Sequence, residues 1–126
     1  MDNSAKLTKL AVVGSCVSRD IFNSKIMNSS EYRNWIKPNP LTIYQTATPS
    51  LVRETPIEVP NDLKIKPAHE QYLLREYSGK SIQDLVDYSP ELILMDFFAD
   101  IHFGVTGGNN DLTRNTMAIK NHDYYT

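Results

Sequence analysis

The feature that most constrains the fold is a short apolar run near the start of the chain that stops at a glycine. The run is LAVV over residues 10–13, and Gly14 follows it. A continuous apolar run of this length is typical of a strand that is buried on both faces of a parallel sheet. Apolar residues at helical spacing follow over residues 17–27, and Ser18 or Asp20 can cap that helix. The segment therefore predicts a buried strand, a tight turn and a helix.

The rest of the chain alternates further strands and helices. We predict a strand over 41–44 that extends towards residue 47, followed by mostly irregular structure over 48–67 with a short edge strand over 54–59. A helix over 68–77 then ends at Gly79, and Ser81 caps a further helix that Pro90 closes. A third buried strand over 92–95 extends through residues 97 and 98, and a short helix covers 112–120. This alternation predicts an α/β fold with three layers, in which helices lie on both faces of a mainly parallel sheet. With right-handed crossovers the strand order is 2-1-3, within a single domain over residues 1–126.

The composition sets limits on the function. The 126 residues carry 13 Lys and Arg against 15 Asp and Glu, a net charge of −2, which argues against nucleic acid as a partner and against electrostatic binding to a membrane surface. No apolar run approaches the about 18 residues of a membrane span, and the start of the chain lacks the apolar segment of a secretory signal. Cys16 is the single cysteine, which excludes an internal disulfide. We therefore expect a reduced, cytoplasmic domain.

Three side chains that could act as nucleophiles lie in the turn after the first strand: Ser15, Cys16 and Ser18. Functional sites of parallel α/β sheets lie at the carboxyl ends of the strands, and the backbone N–H groups at a helix start can hold an anion or an oxyanion. A helix start also favours the reactive thiolate of a cysteine. The alternatives are that Cys16 is buried and inert and that the serines cap the helix. Arg19 and Asp20 could pair with each other or orient a substrate. The alternative is a solvated first turn in which Asp20 interacts favourably with the helix dipole.

A second group of polar residues follows the third strand. Asp96, Asp100 and His102 lie at or after its end, and the strand order 2-1-3 brings that end beside the first turn. His102 could then approach Cys16 as a base while Asp100 orients the ring, since a thiol and an imidazole are the minimum for thiolate catalysis. The alternative is that His102 is a partly buried histidine whose ring is satisfied by backbone groups.

No pattern in the sequence predicts a cofactor or a metal site. The segment GGNND over 107–111 lacks the lysine of a phosphate-binding loop and the alternating oxygen ligands of a calcium loop. A flexible turn is expected there instead. His69 and His122 are each followed by an acidic residue, but neither has the second histidine one helical turn away that a helical zinc site needs.

The sequence Gly14-Ser15-Cys16, placed between a buried strand and a helix, resembles the Gly-Asp-Ser of the first block of the SGNH/GDSL hydrolase superfamily. It is more similar still to related bacterial families whose first block itself reads Gly-Ser-Cys. The resemblance covers roughly residues 8–47 and 80–104. It implies that Cys16 stands at the nucleophile position of the superfamily and that Ser15 stands at its aspartate position.

The same resemblance implies where further site residues lie and what the domain does. The segment over 81–100 is similar to the helix, turn and strand that precede the third block, Gly-x-Asn-Asp, and it puts Asp96, Ala99 or Asp100 near that block. The implied reaction is ester hydrolysis or acyl transfer on a small-molecule or carbohydrate ester, with cell-surface carbohydrate as one such substrate. Backbone N–H groups after Gly14 would form the oxyanion site.

The chain departs from the superfamily's pattern at three places. The second-block glycine has no counterpart in IYQTATPSL, Ala99 stands near the third-block asparagine, and the fifth-block Asp-x-x-His is absent. We therefore expect the chain to be the N-terminal portion of such a domain, incomplete at its C-terminus. Two functions stay open. One is an enzyme fragment. The other is a non-catalytic module that binds a phosphate-bearing or carbohydrate ligand at the Gly14–Asp20 turn, beside Asp96, or that has an assembly role, in which a homodimer or a missing C-terminal portion covers its open edges.

Overall fold

The computed structural model describes residues 7–20, 34–107 and 111–125, and it confirms the α/β class. The helices and strands are β1 (Leu10–Gly14), α1 (Cys16–Asp20), β2 (Leu41–Tyr44), α2 (Thr48–Leu51), α3 (Glu70–Ser78), α4 (Ser81–Tyr88), β3 (Leu92–Met95) and α5 (Phe98–His102). Short 3-10 turns cover Pro67–His69, Thr116–Ala118 and His122–Tyr125. The helical spacing predicted over residues 21–27 lies outside the described residues.

The three strands are parallel and lie in the order β2-β1-β3, as the sequence predicts. In this register Val13 of β1 lies opposite Ile43 of β2 and Met95 of β3. Every residue of β1 is buried, because β1 has a strand on each side, and α1 packs against both β1 and β2. Since the strands are parallel, their carboxyl ends meet at one edge of the sheet, and α1, α2 and α5 all begin there.

The buried side chains form two clusters. The first lies between β1, β2, α2 and α4, and the second joins α3 to the C-terminal segment. Each fully buried leucine or isoleucine stabilises the fold by about 1.5–3 kcal/mol relative to an exposed position. The first cluster contains Ala11, Val13, Ile43, Leu51 and Leu85, and the second contains Leu63, Leu73, Tyr77, Leu112, Ala118 and Ile119.

Two of the predicted helix starts are wrong, and one predicted end is confirmed. α1 begins at Cys16, so Ser18 and Asp20 lie within the helix and do not cap it. α4 begins at Ser81 itself, and the buried hydroxyl of Ser81 has no hydrogen-bond partner in the described chain. α3 ends at Gly79 as predicted, because the φ of 70° at this residue is the left-handed conformation that glycine adopts without strain.

The irregular segments also differ in part from the prediction. Residues 54–59 form no strand, while residues 48–51 form α2 within the stretch predicted to be irregular. β2 ends at Tyr44 and does not extend towards residue 47, because Gln45 has a φ of 52° that breaks the extended path. The predicted helix over 112–120 is reduced to one 3-10 turn, because isolated antiparallel bridges hold Thr113 and Ile119 in extended conformations.

The third strand lies where the sequence predicts it, but the prediction that it is buried is wrong. Leu92 is 55% exposed, Ile93 is 48% exposed and Met95 is 40% exposed. β3 is one of the two edge strands of the described sheet, and it is far less covered than the other edge strand, β2. The strand does not continue through residues 97 and 98 either. The Oδ1 atom of Asp96 accepts a hydrogen bond from the backbone N–H of Phe98 at 3.0 Å. This local turn starts α5.

A buried carboxyl group links α2, α3 and the C-terminal segment. Glu76 is 2% exposed, and its Oε1 atom accepts hydrogen bonds from Ser50 Oγ at 2.6 Å and from the Thr113 N–H at 2.8 Å. Burial raises the pKa of Glu76, and the hydrogen bonds and the nearby Arg53 offset this effect only in part. Because the folded pKa is raised, the contribution of Glu76 to stability is complete below the ordinary glutamate pKa and is lost as the pH rises through the folded value.

We predict that the substitution Glu76→Gln removes the loss of stability that the ionisation of Glu76 causes as the pH rises. The amide oxygen of glutamine accepts the same two hydrogen bonds without bringing a charge into the core. The variant should therefore gain stability over the wild type as the pH rises from about 4 to about 8. Urea unfolding across this range measures the difference, with the exposed Glu54→Gln as the control. A difference between Glu76→Gln and the wild type that stays constant with pH would contradict the prediction.

Candidate functional site

The turn between β1 and α1 is held by a carboxylate from the end of β3. The Oδ2 atom of Asp96 accepts hydrogen bonds from the Ser15 N–H at 2.9 Å, from Ser15 Oγ at 3.1 Å and from Ser18 Oγ at 2.6 Å. These contacts are possible because β1 and β3 are parallel neighbours whose carboxyl ends coincide. Asp96 thus supplies the anion at the start of α1, where the helix dipole favours one.

The hydrogen bonds determine the charge of this carboxyl group. Burial by itself raises the pKa of Asp96, but the hydrogen bonds that the group accepts from Ser18, Ser15 and Phe98 hold that pKa below its usual range. A carboxylate that accepts several hydrogen bonds is stabilised in its charged form. Asp96 is therefore ionised at neutral pH and is a poor proton acceptor.

Gly14 is required by the close approach of Asp96. A Cβ atom at position 14 would lie 2.3 Å from Asp96 Oδ2 and 2.8 Å from the carboxyl carbon. Real Cβ atoms do not come this close to other heavy atoms, so a side chain at position 14 would displace the carboxylate. The glycine in the Gly-Ser-Cys sequence therefore provides space for the carboxylate.

The three potential nucleophiles differ in what surrounds them. Ser15 is 4% exposed and its hydroxyl is bonded to Asp96. Ser18 is partly exposed, and its hydroxyl makes the shortest of the bonds to the same carboxylate. Cys16 is partly exposed at the first position of α1, and in the described part of the chain no hydrogen bond engages its thiol. The thiol is therefore the nucleophile at this turn that is most available to a ligand.

A cluster of aromatic side chains lies beside the turn, on β2, on the 3-10 turn before α3 and on α3 itself. The guanidinium of Arg19 lies 4.2 Å from the centre of the Tyr44 ring and forms an exposed ion pair with Asp20 at 3.1 Å. Tyr44 also contacts the His69 ring, with 5.7 Å between centres, and the Tyr72 ring, with 5.1 Å between centres. Arg19 and Asp20 thus pair with each other, which is one of the possibilities that the sequence left open.

His69 is the residue of this region that the sequence analysis missed as a site candidate. Burial and the neighbouring Lys66 and Arg19 lower the pKa of His69, so the imidazole is neutral at pH 7 and able to accept a proton. Its buried Nδ1 atom has no hydrogen-bond partner in the described chain. The signal that could have found it is its position directly before α3, together with Tyr44, which ends β2 at the edge where Cys16 lies.

The structure does not bring Asp100 and His102 together. Both lie on α5, where residues two apart point in nearly opposite directions. The carboxylate of Asp100 accepts hydrogen bonds from the Thr48 N–H at 2.8 Å and from Thr48 Oγ1 at 3.2 Å, at the start of α2. His102 is exposed and stacks on the Phe98 ring, with 4.7 Å between centres. In the described chain no contact joins His102 to Cys16 or to Asp100.

An open cavity of about 600 Å³ lies in another part of the molecule. It is bordered by the second buried cluster, and its lining includes Tyr77, Arg114 and Tyr125. None of the candidate residues between Gly14 and Asp20 lines it. Its size is suited to a small ligand, but the side chains that could act as nucleophiles lie at the sheet edge, and the chemistry is therefore assigned there.

The structure tests the predictions about metals and membrane spans only for the described residues. Among the described residues no cluster of three or more His, Cys, Asp or Glu side chains could hold a metal ion. Within those same residues no helix has the length and apolar character that crossing a membrane requires. Residues 108–110 of the GGNND segment and the side chain of His122 lie outside the described residues.

No protein-family model, no curated protein and no solved structure matches the chain. The function of the site is therefore argued from its geometry and from the resemblance of its sequence.

We predict that the cost of a side chain at position 14 depends on Asp96. Gly14→Ala should lower the free energy of unfolding by about 1–3 kcal/mol, because the carboxylate is displaced from its three hydrogen bonds. In an Asp96→Ala background the same substitution should cost much less, since the atoms with which the new Cβ collides are gone.

Urea unfolding of the four proteins of this double-mutant cycle measures the coupling. Gly107→Ala is the matched control, because a Cβ at position 107 would have open space around it. Equal costs of Gly14→Ala in the two backgrounds would show that Asp96 is not the reason for the glycine.

Proposed function

We propose that the chain is part of an SGNH-like ester hydrolase or acyltransferase in which Cys16 is the nucleophile. The observation that carries this proposal is a difference in hydrogen bonding among the three side chains that could act as the nucleophile. Asp96 holds both serine hydroxyls, whereas the Cys16 thiol is partly exposed at the start of α1 and makes no hydrogen bond within the described chain. The proposal includes a cytoplasmic location, because the thiol must stay reduced to act.

The backbone after β2 supports the resemblance. Gln45 directly follows β2 with a φ of 52°, a left-handed conformation that favours glycine. The superfamily has its second-block glycine after the second strand. The Gln45 N–H also donates a hydrogen bond to the Gly14 carbonyl at 2.9 Å, so this bend lies directly beside the first turn. The chain thus has the backbone shape for which a glycine is typical, although the residue is a glutamine.

The proposed reaction passes through a thioester. The Cys16 thiolate attacks the carbonyl carbon of the ester, a C–S bond forms, and the C–O bond to the alcohol breaks. Asp96 holds the Ser15 N–H, so the backbone N–H groups that stabilise the oxyanion are those of Cys16 and Val17. Arg19, one turn along α1, adds a positive charge. A base takes the thiol proton and gives it to the departing alcohol. The base then takes a proton from water or an acceptor hydroxyl, whose oxygen bonds to the carbonyl carbon while the C–S bond breaks and the thiolate is released. The substrate class is a small-molecule or carbohydrate ester, and no cofactor takes part.

We further propose His69 as the proton acceptor in place of His102. His69 stacks on Tyr44, whose ring Arg19 covers, and its imidazole is neutral at pH 7. Of the two histidines with described side chains, His69 is the one linked by contacts to the turn, since His102 contacts Phe98 and Phe103 on its own segment. A histidine outside this chain is the other candidate, as the superfamily's fifth block implies.

A second candidate function, a non-catalytic assembly module, is favoured by a different observation. Large apolar side chains are exposed along β3 and α5, and exposed apolar surface of this extent marks interaction sites. Binding of a free anion at the Gly14–Asp20 turn is less favoured, because Asp96 already occupies the Ser15 N–H and both serine hydroxyls. The proposed partner is a second copy of the chain.

We predict that native Cys16 is alkylated by iodoacetamide below about pH 9, since the thiolate is the reacting species and the side chain is partly exposed. The protein should also hydrolyse p-nitrophenyl acetate with loss of activity in Cys16→Ala. The variant His69→Gln should retain the thiol but lower the rate at neutral pH by about 10²-fold or more. The matched control is His102→Gln, which should keep the wild-type rate.

Three results would count against the enzymatic proposal. The first is alkylation that requires unfolding, the second is a Cys16→Ala variant as active as the wild type, and the third is an ester-hydrolysis rate no faster than that of free cysteine. A rate that falls in His102→Gln but not in His69→Gln would overturn the assignment of the proton acceptor alone.

A further inference from the structure

Side chains from α1, β2 and the 3-10 turn before α3 form a row of contacts beside the turn between β1 and α1. Cys16 and Arg19 are three residues apart on α1, a spacing that puts both on one face of a helix. The Arg19 guanidinium lies 4.2 Å from the centre of the Tyr44 ring, and the centre of the His69 ring lies 5.7 Å from that of Tyr44. Lys66 follows, since its carbonyl accepts the His69 N–H at 2.9 Å. We call these five residues the Cys16–Lys66 row.

Electrostatic interactions run along the same row. Burial raises the pKa of Tyr44, Arg19 opposes this effect and Cys16 adds to it, so both side chains of α1 lie within electrostatic range of the Tyr44 hydroxyl. Burial, Lys66 and Arg19 all lower the pKa of His69. The two charged groups that act on this imidazole are thus both cations, and the potential there is positive.

The acidic side chains close to the row do not pair with Lys66. Asp20 forms its ion pair with Arg19 at 3.1 Å, and Asp96 accepts the hydrogen bonds of the turn between β1 and α1. Glu70 is exposed at the start of α3. Over the part of the chain that the structure describes, no carboxylate forms an ion pair with Lys66. Lys66 is therefore a cation beside a neutral imidazole, in a chain whose net charge is −2.

The position of Arg19 is fixed before any ligand binds. Its guanidinium lies over the ring of Tyr44, which is 6% exposed, and its Nε and Nη2 atoms both contact Asp20 Oδ1 at 3.1 Å. A cation held in this way loses less conformational freedom when it binds a ligand than a mobile one does. The Nη1 atom takes no part in these contacts and can donate hydrogen bonds to an anion.

We infer that the ester that Cys16 attacks carries an anionic group, which Lys66 and Arg19 attract to the row. In a partly buried site an anion is stabilised by a nearby cation more strongly than it is in open water. The anionic group lies beside His69 and Lys66 rather than at the Ser15 N–H, which Asp96 already occupies. The inference rests on the proposed function, because it assigns a substrate class to the same site.

Alkylation of Cys16 by two reagents of similar size and different charge tests the inference without requiring catalysis. Iodoacetate is an anion and iodoacetamide is neutral. In both reactions the thiolate forms a C–S bond, and iodide leaves with the electron pair of the C–I bond. Both second-order rate constants are measured on the full chain at about pH 8 and low salt, and their ratio does not depend on the fraction of thiolate. The ratio therefore reports the potential that an anion meets at Cys16.

We expect the ratio of the iodoacetate rate to the iodoacetamide rate to be about threefold higher for Cys16 than for the uncharged model thiol N-acetylcysteinamide. One opposite charge several Å away in a partly exposed site has an effect of this order. Lys66→Gln should lower the ratio by about twofold or more. Sodium chloride at about 0.5 M should lower the wild-type ratio towards that of the model thiol, because salt screens the cations.

The matched control is Lys80→Gln, which removes the same charge from an exposed lysine before α4, outside the row. It should keep the wild-type ratio, and circular dichroism checks that both variants are folded. The salt dependence of the wild type tests the potential without any substitution. The inference is overturned by a wild-type ratio no higher than that of the model thiol, by a ratio that Lys66→Gln leaves unchanged, or by one that Lys80→Gln lowers equally.

Two esters extend the test to the proposed reaction: 4-acetoxybenzoate, which carries a carboxylate, and 4-acetoxybenzamide, which carries a neutral amide at the same position. We expect the preference for the anionic ester in kcat/KM to exceed that of the model thiol, and Lys66→Gln to lower this preference by about twofold or more.

The failure of this inference can be told apart from that of the enzymatic proposal. Ester hydrolysis that Cys16→Ala abolishes but that shows no preference for the anion would leave Cys16 as the nucleophile and remove the inference. A preference for iodoacetate in a protein that hydrolyses neither ester would support the anionic ligand class and remove the enzymatic proposal. A folded protein whose thiol reacts with neither alkylating reagent would overturn both.

Discussion

The carboxylate of Asp96 is the interaction on which the described sheet edge depends. Its Oδ2 atom accepts the Ser15 N–H and the hydroxyls of Ser15 and Ser18, and its Oδ1 atom accepts the N–H that starts α5. One side chain thereby fixes the end of β3 against the start of α1 and excludes any Cβ at Gly14. Removing it would leave a buried N–H without an acceptor, at a cost of about 1–3 kcal/mol for that group alone. The turn between β1 and α1 and the position of β3 beside β1 therefore stabilise each other.

The same arrangement determines which side chains are free for chemistry. Asp96 engages the two serines and Asp100 engages the start of α2, so both carboxylates at the carboxyl edge have structural roles. The thiol of Cys16 is left at that edge, partly exposed and without a hydrogen bond in the described chain. A parallel sheet gathers polar side chains from distant parts of the chain at one edge, and hydrogen bonding then divides them between support of the fold and contact with ligands.

The sequence pattern predicted where the strands lie but not how far each strand is buried. LAVVG, LTIY and LILM were predicted as strands that begin where the structure has them, since uninterrupted apolar runs bounded by Gly, Pro and polar residues are local signals. The ends of the second and third strands were predicted too late, towards residue 47 and through residue 98, whereas these strands end at Tyr44 and Met95. Burial of LILM could not be read from the run itself, because an edge strand and a central strand of a parallel sheet have the same apolar sequence. The prediction that Asp100 orients His102 failed for a related reason. Residues two apart point to the same side in a strand, but Asp100 and His102 lie on the helix α5, which begins just after Asp96.

What the sequence determined by itself is the α/β class, the positions of three strands, their order and the turn at Gly14-Ser15-Cys16. Each of these follows from signals within about ten residues or from the general rules of chain connection. The tertiary structure alone decided which partner each carboxylate takes, why position 14 must be glycine, that Gln45 bends into the left-handed region and that β3 lies uncovered. These properties depend on groups about 80 residues apart in the chain, whose meeting is set by the packing of the whole sheet rather than by any local preference.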